Sequence, residues 1–167
     1  MKKSVKIRKI IFEILYEIHQ KNVNFDESFI NLTNKISLND QEKSMIYNIV
    51  LNSIRNNFFI QNILKNLLQK KTSEKIKVLL VSAITQLLYL GFKGYAVTDD
   101  TVEVAKIKNL NPGLINSLLK NVISKEKEIE KNKIDPSSIP IWFKTILKKN
   151  KISFSQIIKN TSTEPSL

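Results

Sequence analysis

Hydrophobic residues recur every three or four positions along most of the chain, a spacing that predicts a largely helical protein. One apolar stripe in the first segment contains Ile7, Ile11, Ile14, Leu15 and Ile18. Lys2, Lys6 and Lys9 fall on another face of the same segment. Similar stripes follow along the chain, and together they predict an all-α bundle of about seven helices with an appended C-terminal helix.

Several helix boundaries carry their own signals. Asn39 and Glu42 have the spacing of a capping box at the start of the third helix, and Ser73 is a suitable N-cap residue for the fifth helix. The fifth helix is apolar over a wide arc, which predicts that it is the most buried. Gly91 and Gly94 are expected to bracket its end.

The sixth and seventh helices are predicted from weaker signals. The sixth is expected to begin near Thr98, with Asp99, Asp100 and Glu103 near its N-terminus, where acidic residues are favourable. A turn at residues 111–113 then precedes the seventh helix, which is expected to continue into a mixed-charge, solvated tail at residues 125–131.

The pattern changes near the C-terminus. Residues 135–140 contain two prolines and read as a loop, and a short basic helix is expected to follow. We therefore predict a domain at residues 1–134 and a connector helix with a loose tail at residues 135–167.

The charge balance favours an anionic partner. Lys and Arg number 27 and Asp and Glu number 15, which gives a formal net charge of +12. Nucleic acid and an anionic membrane surface both fit such an excess. The chain is also rich in Lys, Asn and Ile, so a general amino-acid bias is the competing explanation.

The residues needed for most catalytic and metal sites are missing from the sequence. It contains no cysteine, one histidine (His19) and no glycine-rich phosphate loop. We therefore expect no catalytic activity in this chain, no metal and no cofactor. The longest uncharged run, residues 78–92, is too short for a membrane span, so we expect no membrane partner. The lack of cysteine is compatible with the reducing cytoplasm, where we expect the protein to be located.

Five cations are concentrated at the start of the first helix. Lys2, Lys3, Lys6, Arg8 and Lys9 lie within about two helical turns, where they could follow a nucleic-acid backbone and release counterions. The alternative is a solubilising, partly frayed terminus. A membrane-surface helix is less favoured, because burial in a bundle explains its apolar stripe more simply.

An ordered set of short motifs resembles the NusB family. These are RKIIFEIL at residues 8–15, the Ile54-Arg55 helix end, QLLYL at residues 86–90, AVTDDTVEVAK at residues 96–106 and GLINSLLK at residues 113–120. The chain departs from the family pattern at three places: Asn52 replaces a usual glycine, Asp99-Asp100 an asparagine–glutamate pair, and Lys120 an arginine.

One further motif resembles a branch of this family. Residues 139–143, IPIWF, are similar to the proline–tryptophan segment that joins a NusB-like domain to the methyltransferase of Sun/RsmB-type ribosomal RNA (cytosine-C5) enzymes. This resemblance implies an RNA-binding module for small-subunit ribosomal RNA, attached to or partnered with a methyltransferase domain.

Two other functions remain open. A free-standing antitermination factor would bind short RNA together with a ribosomal protein, and a helical protein-interaction domain would have no nucleic-acid role. The resemblance adds Arg55, Asn116 and Lys120 to the five N-terminal cations as RNA-binding candidates. Asn116 has an alternative structural role, in which its amide satisfies a helix end.

Overall fold

A computed structural model describes residues 1–68, 71–131 and 141–157 of the chain. Every regular element in these residues is a helix, which confirms the predicted all-α class. The chain separates into two compact units, Met1–Lys131 and Asn132–Leu167. The predicted boundary between residues 134 and 135 lies outside the described residues.

The described residues of the first unit form eight helices. They are α1 (Lys3–Lys21), α2 (Phe25–Thr33), α3 (Asp40–Arg55), α4 (Asn57–Leu67), α5 (Glu74–Leu88), α6 (Gly94–Ile107), α7 (Pro112–Ser124) and α8 (Glu126–Lys131). In the second unit, α9 spans Ile141–Lys149. None of the described helices has the combination of length and apolar content needed to cross a bilayer.

Side-chain caps define the starts of several helices. The Asn39 side chain accepts a hydrogen bond from the Glu42 amide at 2.9 Å, and Glu42 accepts one from the Asn39 amide at 2.8 Å. These reciprocal bonds confirm the predicted capping box of α3. Ser73 likewise caps α5 by accepting from the Ile76 amide. Asn24 caps α2 in a similar way.

Helix α5 is enclosed by other helices, as its wide apolar arc predicts. It contacts α1, α3, α4, α6 and α7. Twelve of its residues are buried, and three of these, Ser82, Thr85 and Gln86, are polar. Their side chains bond within the core, where Thr85 Oγ1 lies 3.0 Å from Ser53 Oγ of α3. The buried α5 therefore supplies the surface on which the surrounding helices pack.

Two predicted boundaries in the second half of this unit are wrong. Helix α6 begins at Gly94 and not near Thr98, because only Gly91 takes the left-handed conformation (φ 63°) that follows α5. Asp99 and Asp100 consequently lie beyond the first turn of α6. The tail predicted as part of the seventh helix forms α8 separately, after a break at Lys125.

Candidate nucleic-acid interface

Lys2, Lys6 and Lys9 mark the solvent-facing side of the start of α1, and Lys3 reaches Glu42 of α3. Lys2 and Lys3 are exposed, and Lys6 and Lys9 are partly exposed. The Lys3 Nζ lies 3.2 Å from Glu42, and the Lys9 Nζ lies 4.0 Å from Glu13. Lys2 and Lys6 make no ion pair with the residues that the structure describes. The structure thus gathers these four predicted cations on one helix.

Arg8, the fifth cation predicted here, is buried, and its placement among surface phosphate contacts was wrong. Only 5% of its surface is exposed, and its Nη1 donates to Asp100 Oδ2 of α6 at 2.7 Å. Burial lowers the pKa of Arg8, and the Asp100 carboxylate opposes that shift. Arg8 Nε is enclosed without a hydrogen-bond partner. The residue joins two helices and does not face solvent.

The position of Arg8 in the helical period already indicates its burial. Arg8 stands three residues before Ile11 and seven before Leu15, so it lies on the apolar stripe of α1. Both of those residues are fully buried. The lysines at positions 2, 6 and 9 follow the opposite side of the helix. Because all five cations are close in sequence, their clustering alone does not distinguish the buried Arg8 from the lysines that face solvent.

The contacts of α6 define the order of its neighbours. Arg8 contacts Asp100, and farther along both helices Glu13 accepts a 2.6 Å bond from Lys108. Because the later residue of α1 contacts the later residue of α6, the two helices run parallel. A Cβ on Gly94 would lie 3.0 Å from Ile123 Cδ1, so the start of α6 meets the last turn of α7. The starts of α1 and α6 and the end of α7 therefore lie at one end of this unit.

Lys120 and Asn116 share a face of α7, because they are four residues apart. Lys120 is exposed and Asn116 is partly exposed. The helix start is capped by Asn111, whose Oδ1 accepts from the Leu114 amide at 3.0 Å. Asn116 lies in the second turn of α7, away from the N-cap position that Asn111 occupies. Lys120 is three residues from Ile123, which places it close to the start of α6.

Arg55 is exposed but lies apart from the α1 lysines. It is the last residue of α3, whereas Lys3 contacts Glu42 in the first turn of that helix. Arg55 lies thirteen positions after Glu42 in this helix, a distance of about 20 Å. The structure does not bring Arg55 together with Lys3.

Two exposed residues at the start of α6 were not predicted. Lys93 occupies the N-cap position, and Tyr95 exposes 68% of its surface. Sequence reasoning placed the helix start near Thr98 and read residues 91–94 as a stop signal, so both residues were treated as loop. Correct placement of the boundary would have identified a basic and an aromatic side chain beside the α7 end.

The opposite end of α1 carries a different surface. A cavity of about 290 Å³ is lined by Phe12, Glu13, Tyr16, Glu17, Lys21, Leu32, Lys75 and Lys108. Its charges are mixed, and the 2.6 Å pair between Lys108 and Glu13 neutralises part of its wall. In the part of the chain that the structure describes, no group of three His, Cys, Asp or Glu residues is arranged to hold a metal ion.

A sequence model of the NusB family matches residues 5–124, from the first turn of α1 to the end of α7. The chain belongs to the NusB family. Domains of the NusB family bind RNA and protein partners and carry no catalytic activity of their own. The match ends before the residues that resemble the methyltransferase connector. A search of curated proteins found no match to this chain.

The structure explains one place in α6 where the sequence departs from the NusB pattern. Asp99-Asp100 stands where the resemblance leads us to expect asparagine and glutamate. Asp100 retains a carboxylate at the second position, and this carboxylate is the partner of Arg8. Asp99 is exposed. The two adjacent acids therefore differ in role, with one inside the bundle and one on its surface.

Proposed function

We propose that this NusB-family chain is the RNA-binding module of a small-subunit ribosomal RNA cytosine-C5 methyltransferase, acting as part of that enzyme or as its partner. The observation that carries the RNA-binding part of this proposal is the row of solvent-facing lysines on α1, which consists of Lys2, Lys6 and Lys9. The chain itself contributes binding and positioning, whereas the methyl transfer belongs to a separate catalytic domain.

The geometry of the lysine row suits a phosphate backbone. Positions 2, 6 and 9 repeat at helical spacing, so their ammonium groups follow one side of α1. The residues on the other side are buried in the bundle, and Arg8 is tied to α6 through Asp100. This attachment fixes the helix on which the lysines are carried. Each lysine that neutralises a phosphate releases a counterion and increases affinity at low salt.

The choice of the methyltransferase branch rests on the sequence after the family match. Residues 139–143 resemble the connector of Sun/RsmB-type enzymes, and Ile141–Lys149 forms α9. A free-standing antitermination factor, bound to RNA and a ribosomal protein, is the second candidate. A protein-interaction domain is the third, and it would follow if the lysines only reflect compositional bias.

The test is RNA binding by fluorescence anisotropy at several salt concentrations. The probes are a small-subunit ribosomal RNA fragment and a scrambled RNA of the same length. We expect tighter binding to the ribosomal fragment and a steep loss of affinity with salt. The double variant Lys2→Gln/Lys6→Gln should reduce the magnitude of the salt slope by about 1.4, since each phosphate contact to a single strand contributes about 0.7.

A matched variant separates local contacts from total charge. Lys21→Gln/Lys75→Gln removes two lysines that line the cavity, and Lys21 is about 27 Å along α1 from Lys3. If both double variants reduce the slope equally, the α1 row has no special role. Equal binding to the two RNAs would remove the ribosomal assignment, and no binding at low salt would favour a protein-interaction role.

A further inference from the structure

Tyr95 differs from the other described tyrosines in its surroundings. Tyr16 stacks on Phe12 at 5.9 Å between ring centroids, and Tyr47 packs against Phe25 and Phe29 at 5.1 and 5.5 Å. Tyr89 is largely buried, and burial raises the pKa of its hydroxyl. Tyr95 exposes 68% of its surface and has no aromatic neighbour among the described residues. Its ring is therefore available to a ligand.

The backbone next to Tyr95 lies close to α7. A Cβ added to Gly94 would lie only 3.0 Å from Ile123 Cδ1, so the first turn of α6 packs tightly on the last turn of α7. Lys120 is on the same side of α7 as Ile123 because the two are three residues apart. Lys93 directly precedes the helix. The exposed ring of Tyr95 therefore belongs to the same end of the unit as two exposed lysines, Lys93 before α6 and Lys120 near the end of α7.

We propose that Tyr95 is a base-stacking residue, which binds the face of an unpaired RNA base while nearby lysines contact the phosphates. This inference rests on the RNA-binding function proposed above and adds a specific contact to it. Every nucleobase presents a π-face, so a tyrosine ring binds unpaired bases with little sequence preference. A paired base within a duplex already has stacking partners on both faces and does not offer one to Tyr95.

The position of Tyr95 fits one continuous RNA strand. Because α1 and α6 run parallel, the start of α6 lies at the same end of the unit as Lys2 and Lys3. A strand that follows the α1 lysines reaches this end and continues toward α7. Aromatic rings alternating with cations are typical of surfaces that bind single-stranded nucleic acid. One strand that crosses this end of the unit would then meet phosphate contacts on α1 and a stacking position on α6.

The experiment compares Tyr95→Phe, Tyr95→Leu and Tyr95→Ala with the unaltered chain. The probe is a mixed-sequence RNA of about twelve nucleotides that contains 2-aminopurine, used as a single strand and as a duplex. Affinity is measured by anisotropy, and stacking is measured by quenching of 2-aminopurine fluorescence. The control is Ile107→Ala, which removes an exposed apolar side chain (43% exposed) from the last position of α6.

Stacking predicts a specific pattern. Tyr95→Phe should bind like the unaltered chain, whereas the Leu and Ala variants should lose at least about five-fold in affinity for the single strand and most of the quenching. The salt slope and duplex affinity should not change, and Ile107→Ala should have no effect. Thermal unfolding of each variant checks that the exposed substitution leaves the fold intact.

The outcomes separate this inference from the function on which it rests. Salt-dependent RNA binding that is equal in the unaltered chain and Tyr95→Ala would overturn the stacking role and leave the proposed function standing. Retained affinity in Tyr95→Leu would replace stacking with a general apolar contact, which also overturns the inference. Absence of RNA binding by the unaltered chain would overturn both.

Discussion

Arg8 of α1 and Asp100 of α6 form a buried ion pair in which Nη1 lies 2.7 Å from Oδ2. The two residues are 92 positions apart in sequence, and both side chains are almost completely enclosed. The pair joins the helix that carries the lysine row to the helix that carries Tyr95. It therefore connects the two parts of the candidate interface.

The first prediction concerns the stability supplied by this pair. Asp100→Ala should lower the free energy of unfolding by about 3–5 kcal/mol, because it leaves the Arg8 guanidinium buried without its counter-charge. Urea unfolding followed by circular dichroism measures the change. The double variant Arg8→Met/Asp100→Leu should be more stable than Asp100→Ala, since no uncompensated charge remains. A double variant that is no more stable than Asp100→Ala would contradict the pairing.

The second prediction separates Arg8 from the surface cations in RNA binding. Arg8→Met/Asp100→Leu should leave the salt slope of RNA binding unchanged, because the Arg8 guanidinium faces Asp100 and not solvent. Anisotropy titrations at several salt concentrations measure the slope, with Lys2→Gln/Lys6→Gln as the comparison. A fall of about 0.7 in the magnitude of the slope would place Arg8 on a phosphate after all.

Residue spacing predicted much of the bundle but could not assign the polar contacts between residues that are distant in sequence. The apolar stripe of α1, the Asn39 capping box and the burial of α5 all follow from local patterns, and the structure confirms them. Arg8 was misplaced because its burial depends on Asp100, a contact between distant parts of the sequence. Tyr95 was overlooked because two nearby glycines have different roles: Gly91 follows α5, and Gly94 begins α6.

The third prediction tests a local contribution to stability. Asn39→Ala should lower the free energy of unfolding by about 1 kcal/mol, because the Glu42 amide loses its side-chain acceptor at the start of α3. Chemical denaturation measures this loss. Asn39→Asp provides the control, since aspartate supplies an equivalent cap and should restore most of the stability. A loss of the same size in Asn39→Asp would show that the side-chain NH2 group of Asn39 is required, and not only its capping oxygen.

The fourth prediction concerns His19 near the end of α1. Partial burial lowers the pKa of His19, and the charge of Glu74 only partly opposes this shift. The unfolded chain therefore binds a proton more readily than the folded chain as the pH falls below about 6.5. The contribution of His19 to the free energy of unfolding should therefore fall as the pH falls from about 6.5 to the lower pKa of the folded chain.

The measurement for His19 is the free energy of unfolding at about pH 7 and at about pH 5. His19→Gln should show a smaller decrease on acidification than the unaltered chain, because glutamine does not titrate. Glu17 and Glu42 remain in both proteins, and their lowered pKa values affect stability at more acidic pH. An identical decrease in the two proteins would exclude a contribution from His19.

The parallel course of α1 and α6 has an electrostatic consequence beyond the side-chain charges. Backbone dipoles place partial positive charge at helix N-termini, and two such ends lie together here. Neither helix has an acidic residue in its first turn or a side-chain hydrogen bond at its N-cap position. The two helix backbones therefore add partial positive charge to that of the lysines at this end, and these like charges repel each other although Glu42 pairs with Lys3. Binding of a polyanion at this end should relieve that repulsion and raise the melting temperature.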